Sequence, residues 1–419
     1  MQLIDDGSVR YPMHKKLWNK DFLLLLQGNA VSSIGDLMYS VAIGYWVYQQ
    51  TGSSALMGVM SSISMFVTMF LSPFCGSIVD KCNRKWVIVL IDTVQGLLML
   101  TVGVLAYLDA LNVPIVLSVA LLAAFGSVFY SPAISTLMID IIPRDDMIRG
   151  QSIHSGVVNL INLVGTAFSG AMVAFLGVPL IVVINGASNL YSALTELLVT
   201  VPRTVQQGQR VTVKGVLRDS RRAVGTIFDD PLLRLFVPGA LILNFLCGGP
   251  MSLLLPFCME KGFGVDHYGI LGFVFMAGSL VGVVLMGAVK LKPKARFLAL
   301  ALGFSGSVPF YTMAYLAEEF VILCALCFIA AFLNCIGNAV FGASMMLALP
   351  QENRSAILGV VQSGSMGGMA LSALFYGLLG ETFPLYIVFA VGSMVSLPIM
   401  LYLCFHHRMK EFVVEHTAA

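Results

Sequence analysis

An all-helical membrane protein, with twelve transmembrane helices in two pseudo-symmetric six-helix halves, is the fold class this sequence predicts. Three observations carry that reading. Hydrophobic residues fill 58% of the 419 positions and charged residues only 11%, far below the roughly 25% charge of an ordinary soluble domain. Apolar runs long enough to cross a bilayer as helices recur twelve times. With the N-terminus inside and each run crossing once, 23 of the 24 lysines and arginines fall on the cytoplasmic side, leaving only Lys261 outside. Lysine and arginine placement is what sets membrane orientation, so both termini are expected in the cytoplasm.

The runs cover residues 22–48, 54–77, 86–108, 114–138, 150–176, 178–200, 233–257, 268–289, 296–316, 320–347, 355–379 and 385–405. Residues 1–21 are polar and basic, without the short apolar core and small-residue cleavage site of a signal peptide. The first run is too long for such a peptide and reads as a retained helix. The longest loop, Pro202 to Pro231, divides the chain into an N-terminal bundle (1–201), a cytoplasmic linker (202–231) and a C-terminal bundle (232–419). Within the linker, Val213, Val216, Leu217, Ser220, Val224, Ile227 and Phe228 fall near one helical face, and Lys214, Arg218, Arg221 and Arg222 mostly on the other. That pattern predicts an amphipathic helix lying on the inner leaflet. A weak internal repeat agrees with the division: Gly58 and Gly76 bracket the second run eighteen residues apart, as Gly269 and Gly287 bracket the eighth. Paired repeats with a site at their interface are a common secondary-transporter architecture.

Ionisable groups inside a membrane are expensive and usually functional. Asp36 lies fifteen residues past Asp21, roughly 22 Å along a helix, too deep to reach the inner surface. Asp92 lies seven residues past Lys85, roughly 10 Å in. Glu196, near the inner end of the sixth run, reads as an acid that snorkels to the interface. Asn29, Ser33, Asp36 and Ser40 are spaced four, three and four apart and so share one face of the first helix. Such a stripe must face another helix or a water-filled cavity. Asp36 and Asp92 are therefore the candidate proton carriers.

Enzymatic chemistry is not expected, since no nucleophile–base pair is legible and the only histidines that could approach a membrane site, His154 and His267, fall near helix ends. No cofactor, metal site or nucleotide-binding glycine loop is expected. The eight cysteines lie almost all in or beside apolar runs, and the Cys324–Cys327 pair reads as packing residues rather than a redox or metal motif.

The loop Gly76-Ser77-Ile78-Val79-Asp80-Lys81-Cys82-Asn83-Arg84-Lys85 resembles the signature loop between helices 2 and 3 of the major facilitator superfamily, usually Gly-x-Leu-Ala-Asp-Arg-x-Gly-Arg-Lys. Gly76, Asp80, Arg84 and Lys85 match that pattern, and Asn83 stands where it has its second glycine. Over essentially its whole length the chain is similar to the branch of that superfamily holding macrolide-efflux proteins and the enterobactin exporter. Gln27, Ser33-Ile34-Gly35-Asp36, Thr51-Gly52-Ser53-Ser54, Ser131-Pro132-Ala133, Asp140-Ile141-Ile142-Pro143 and Asp229-Asp230-Pro231-Leu232-Leu233-Arg234 carry the likeness. There are departures. The antiporter motif of helix 5 is replaced by Gly165-Thr166-Ala167-Phe168-Ser169-Gly170, without its proline. Helix 4 lacks a buried arginine, and the second-half copy of the loop lacks its acid.

The resemblance implies the major facilitator fold in a bacterial cytoplasmic membrane, acting as a monomer on a small-molecule substrate, with protons and lipid as its other partners and no nucleic acid. It implies a cavity lined by helices 1, 4, 7 and 10, which adds Tyr130, Asn244, Asn334 and Asn338 to Asn29, Ser33, Asp36 and Ser40 as candidate cavity residues. It also implies a gating loop, in which Asp80 caps a helix near Asn353 to Ser355 and Arg84 reaches Asp140. The expected function is export of an amphiphilic, drug- or macrolide-like molecule by proton antiport. The alternatives are a siderophore exporter, a lysophospholipid transporter, a metal exporter, or a ligand sensor that keeps the transporter fold without transporting.

Overall fold

A computed structural model of the chain describes residues 17–79, 82–143, 146–200, 213–231, 233–289, 293–348 and 354–407. Every regular element among them is a helix: α1 (Lys20–Thr51), α2 (Ser54–Val79), α3 (Arg84–Tyr107), α4 (Val113–Ile141), α5 (Met147–Leu176), α6 (Val178–Leu197), α7 (Val213–Asp229), α8 (Leu233–Ser252), α9 (Leu254–Glu260), α10 (Val265–Ala288), α11 (Pro293–Leu316), α12 (Phe320–Ala348), α13 (Arg354–Leu379) and α14 (Leu385–Phe405). The sequence dictates several of the ends. Asn19, Asn83 and Asn112 each accept a backbone N–H from the first turn of α1, α3 and α4, satisfying donors that no helix satisfies itself. Gly52 closes α1 at φ 63°, a left-handed position that glycine takes without steric cost.

Eleven of these helices are long and apolar enough to cross a membrane. The first expected crossing, α1, is not among them. It is long enough, with 32 residues or about 48 Å, but its polar stripe dilutes its apolar character. Its flanks lie against α5 and α6. The seventh expected run, 233–257, is not one helix: it breaks at Leu253, between α8 and α9. Proline explains the break, because Pro256 has no N–H for the Ser252 carbonyl four residues back and crowds it. The linker helix α7 also departs from expectation. Ala223 and Ile227 are buried with Leu233, Val237 and Ile357 of α8 and α13, while Val224 and Phe228 stay exposed. Part of its apolar face thus docks on the bundle rather than lying free for lipid.

Helices α1 to α6 pack on one another, with α6 against α1 and α3, and α4 against α2 and α3. Helices α8 and α10 to α14 do likewise, chiefly α11 with α12 and α14, α10 with α12, and α8 with α13. Two seams join these sets, α2 on α13 and α5 on α10. Both rest on glycine. A Cβ on Gly58 would strike the Ala373 carbonyl, and one on Gly170 would strike the Val265 carbonyl; membrane helices approach closely only where residues are this small. Gly58 lies near the start of α2, and Val265 begins α10. The seams therefore close the end of the bundle where α1 turns into α2. The largest apolar cluster, including Ile43, Val47, Met57, Phe257, Tyr376 and Phe389, sits at the same end.

A glutamate clasps that closed end. Glu381 Oε1 accepts from the Ser53 hydroxyl at 2.6 Å and from the Ala55 N–H at 2.9 Å, joining the α13–α14 turn to the first turn of α2. These bonds, the Ser53 hydroxyl first, hold the Glu381 carboxyl below its ordinary range. For a depressed carboxyl the contribution is present above the ordinary value and is lost as pH falls through the lowered one. Glu381→Gln should therefore loosen this end at neutral pH by only about 0.5 kcal/mol, because water screens this exposed carboxylate and holds the contact below the usual worth of a helix cap. Hydrogen exchange of the Ala55 and Leu56 amides reads the change. Protection unaltered in the variant, and unaltered in the wild type on acidification, would remove the clasp.

Candidate functional site

Four helices of the first set bring polar groups together, most of them buried, with Asp36 exposed to the space they border. Asn29 and Asp36 come from α1, Asp92 from α3, Tyr130 from α4, and Asn185, Asn189, Ser192 and Glu196 from α6. α6 can approach α1 because Gly35 faces Asn185 and Ser188, and Gly28 faces Ser192 and Thr195. The result is a polar seam within an apolar bundle.

The hub is the Tyr130 hydroxyl. It lies 3.2 Å from Glu196 Oε1 and 3.5 Å from Asp92 Oδ2, and Asn29 Nδ2 donates to it at 3.4 Å. The Oδ1 of Asn29 lies 3.1 Å from His154 Nε2 on α5. Asp36 stands apart from the hub and accepts from Asn189 Nδ2 at 3.3 Å, while Asn189 also donates to Asn185. Asp92 and Glu196 are almost wholly buried, at 2% and 0% exposure.

These groups border water-sized space. A polar chamber of about 490 Å³ is lined by Asn29, Ser33, Asp36, Asp92, Tyr130 and His154, among others. Asp36 also lines a second chamber of about 380 Å³, toward the closed end, together with Ser40, Tyr39 and Gln95. A third, of about 760 Å³, is largely apolar, with Leu160, Leu163, Met251, Phe275, Tyr311 and Tyr315 in its walls. Asn159 lines both the polar and the apolar chambers. Among the described residues no lysine or arginine lines these three chambers, and Asp36 and Asp92 are their acids. Among the described residues no group of three potential metal ligands gathers.

The candidate cavity residues thus divide. Asn29, Ser33, Asp36 and Tyr130 meet in the polar chamber, and Ser40 lines the adjoining one. Asn244, Asn334 and Asn338 do not join them; they line a smaller space of about 240 Å³ in the second set of helices. There Asn338 Nδ2 donates to Asn334 Oδ1 at 2.7 Å, and Asn244 donates to Ser365 and to the Ala240 carbonyl. Asn334 alone of the three also reaches the apolar chamber.

Of the gating loop, Gly76 lies in the last turns of α2, and Asp80, like Asn353, lies outside the described residues. Arg84 Nη1 meets Asp140 Oδ2 at 2.6 Å, and Lys85 Nζ donates to the Leu197 carbonyl at 2.8 Å. Replacing Arg84 by alanine leaves a largely buried carboxylate without this partner, which should cost about 1–3 kcal/mol. Thermal unfolding of Arg84→Ala beside Arg84→Lys checks this, with lysine expected to recover only part of the loss. Equal stability of all three proteins would show the pair to be idle.

Glu196 is the main correction. It does not snorkel: it is fully buried, because its helix is the most enclosed of the eleven spans. The α6 residues were nonetheless readable. Asn185, Asn189, Ser192 and Glu196 are spaced four, three and four apart, with Ser188 beside Asn189, the same stripe pattern as on α1.

A family model described as Major Facilitator Superfamily matches residues 25–292. Macrolide efflux protein A of Streptococcus pyogenes is 21% identical over 380 residues, covering 87% of this chain and 91% of that protein. The multidrug efflux pump Tap of Mycolicibacterium fortuitum is 24% identical over 404 residues, covering 93% and 96%. Among solved structures, a bacterial homologue of the human lysosomal transporter Spinster, inward-facing and unoccupied, superposes with a TM-score of 0.69 at 18% identity, covering 96% of this chain and 99% of that one. An inward-facing bacterial homologue of the iron transporter ferroportin gives 0.70 at 14% identity, covering 92% and 99%.

Proposed function

Since the chain belongs to the major facilitator superfamily and is a multi-pass membrane transporter, we propose that it exports an amphiphilic, drug- or macrolide-like small molecule in exchange for protons. The observation that carries this reading is the adjacency of unlike chambers. An acid-bearing polar space touches a larger apolar one at Asn159, so one molecule can place a polar end by Asp36 and an apolar body among Tyr311, Tyr315, Phe275 and Leu160. Likeness to macrolide and multidrug efflux proteins over most of both chains supports the same substrate class. The lysine and arginine skew of the sequence supports a bacterial cytoplasmic membrane with both termini inside. In that orientation the glycine seams close the outer end, and the polar chamber stands toward the cytoplasm. Asp36 and Asp92 are the acids that carry protons, and the chain acts as a monomer.

The coupling is competitive. A proton and a cationic or polar substrate group that favour the same acid exclude one another, so each drives the other's release. Proteoliposomes test the proposal: an imposed proton gradient should drive accumulation of a lipophilic drug, and labelled drug should exchange with unlabelled drug without one. Exchange without gradient dependence would defeat antiport. Binding without exchange would make the chain a sensor.

A further inference from the structure

Two acids in the first set of helices meet on one phenol, and counting hydrogens there has a consequence. A tyrosine hydroxyl offers one hydrogen and two lone pairs. Asn29 Nδ2 takes one lone pair of Tyr130 from 3.4 Å. The hydroxyl hydrogen can go to only one of the two carboxyls, Glu196 Oε1 at 3.2 Å or Asp92 Oδ2 at 3.5 Å. The second carboxyl then faces the remaining lone pair. If it is ionised, two oxygens with no hydrogen between them are held together away from water, beside a like charge. If it carries a proton, it donates to that lone pair and every contact is attractive.

Among the described residues the surroundings supply no cation: the Ser192 hydroxyl on α6 lies beside Asp92, Glu196 and Tyr130 and can offer one hydrogen but no charge. The basic residues at the start of α3 are turned elsewhere, Arg84 to Asp140 and Lys85 to the Leu197 carbonyl. His154 Nε2 on α5 meets the side-chain Oδ1 of Asn29 rather than either acid. Asp36 on α1, bonded to Asn189, is itself an acid and brings no positive charge. Burying two ionised carboxylates without a cation between them is the costliest arrangement available.

We propose that Asp92 and Glu196 form a single proton-binding site, closed by Tyr130, that holds one proton between two carboxyls. One carboxyl donates its O–H to the Tyr130 oxygen while Tyr130 donates its own hydrogen to the other carboxylate. Exchanging the roles passes two hydrogens in the same direction, one from the carboxyl to Tyr130 and one from Tyr130 to the carboxylate, and leaves the charge of the site unchanged. On release the proton passes from Asp92, which lines the polar chamber, to water. Tyr130 keeps its hydrogen and two carboxylates remain; rebinding reverses the step. Glu196, outside the chamber lining, is thus a proton-holding partner that never needs to meet substrate. The role of this proton in transport rests on the antiport reading, but its existence does not.

Infrared spectroscopy of the purified full-length protein, without substrate and at neutral pH, tests it through the C=O stretch of protonated carboxyls. All samples carry Asp36→Asn so that Asp36 does not contribute. Asp92→Asn and Glu196→Gln should each remove the same one-carboxyl intensity, and the double variant should remove no more, because either change leaves a single carboxylate satisfied by Tyr130. Additive losses would mean two independently protonated acids. Loss with only one variant would place the proton on that residue alone. No loss with either would mean both are ionised, and each of these results overturns the proposal. Should the variants fold poorly, glutamate labelled with carbon-13 at its carboxyl reads the parent: part of the one-proton band should shift, whereas all or none shifting refutes sharing. Because no substrate is present, failure here is distinct from failure of the export reading, which proteoliposome exchange decides.

Discussion

Asp36→Asn should reduce proton-driven substrate accumulation to the level of empty liposomes while leaving gradient-free exchange of labelled for unlabelled substrate. The expectation follows from where the side chain stands. Asp36 borders both the polar chamber and the one above it, and its hydrogen-bond partners on α6 are Asn189 and Asn185, with the Asn189 amide donating at 3.3 Å. Asparagine keeps the shape and can still accept from that amide, so the seam between α1 and α6 persists; what disappears is the exchangeable proton. Substrate-induced proton movement, measured in proteoliposomes holding equal amounts of folded wild type and variant, separates coupling from structure. Undiminished proton movement in the variant would show Asp36 to be only a structural partner of α6.

Gly58→Leu should have the second large effect, on the balance between conformations. The α2–α13 seam needs Gly58 against the Ala373 carbonyl and the Gly377 backbone, and a backbone neighbour cannot rotate aside as a side chain can. Forcing such contacts apart costs about 1–3 kcal/mol, a shift of about 5- to 150-fold away from this closed arrangement. Probes on cysteines introduced at Gln50 and Thr382, both exposed near the seam, should report a longer mean separation in the variant. An unchanged distance distribution in correctly folded protein would mean that the seam does not govern closure.

The helical bundle was legible because bilayer length and charge asymmetry are one-dimensional signals, written in the order of residues. The stripe on α1 was legible for the same reason: Asn29, Ser33 and Asp36 do share a face, and they meet in one chamber. What the order of residues does not contain is the partner of a stripe. Nothing in residues 20–51 says that α6 lies opposite, so Asn189 as the partner of Asp36 required three dimensions. The misplacement of Glu196 has a similar cause. Distance from a helix end measures depth along the axis but not enclosure around it. The carbonyl-blocking Pro256, by contrast, was visible in the sequence and was outweighed by the unbroken apolarity of 233–257, a property insensitive to missing backbone donors. Asn244, Asn334 and Asn338 were grouped with the first-half residues through resemblance alone, and in this conformation they line a smaller space apart from the acids, with Asn334 also reaching the apolar chamber.

The large apolar chamber shares few walls with the two polar ones. Asn159 is the residue common to the acid-bearing space and the large apolar one, and Met251 the residue common to the apolar space and the one above it. In the exporter proposed here, cargo shape and energy supply are therefore written in largely separate sets of residues. Changes at Tyr311, Phe275 or Leu160 can reshape what fits without disturbing the acids that handle protons. Such a layout lets a lineage drift toward new toxic compounds by point substitution while its engine is inherited intact. It also confines what an adapting cell can alter at no loss of drive to a short, enumerable set of apolar positions.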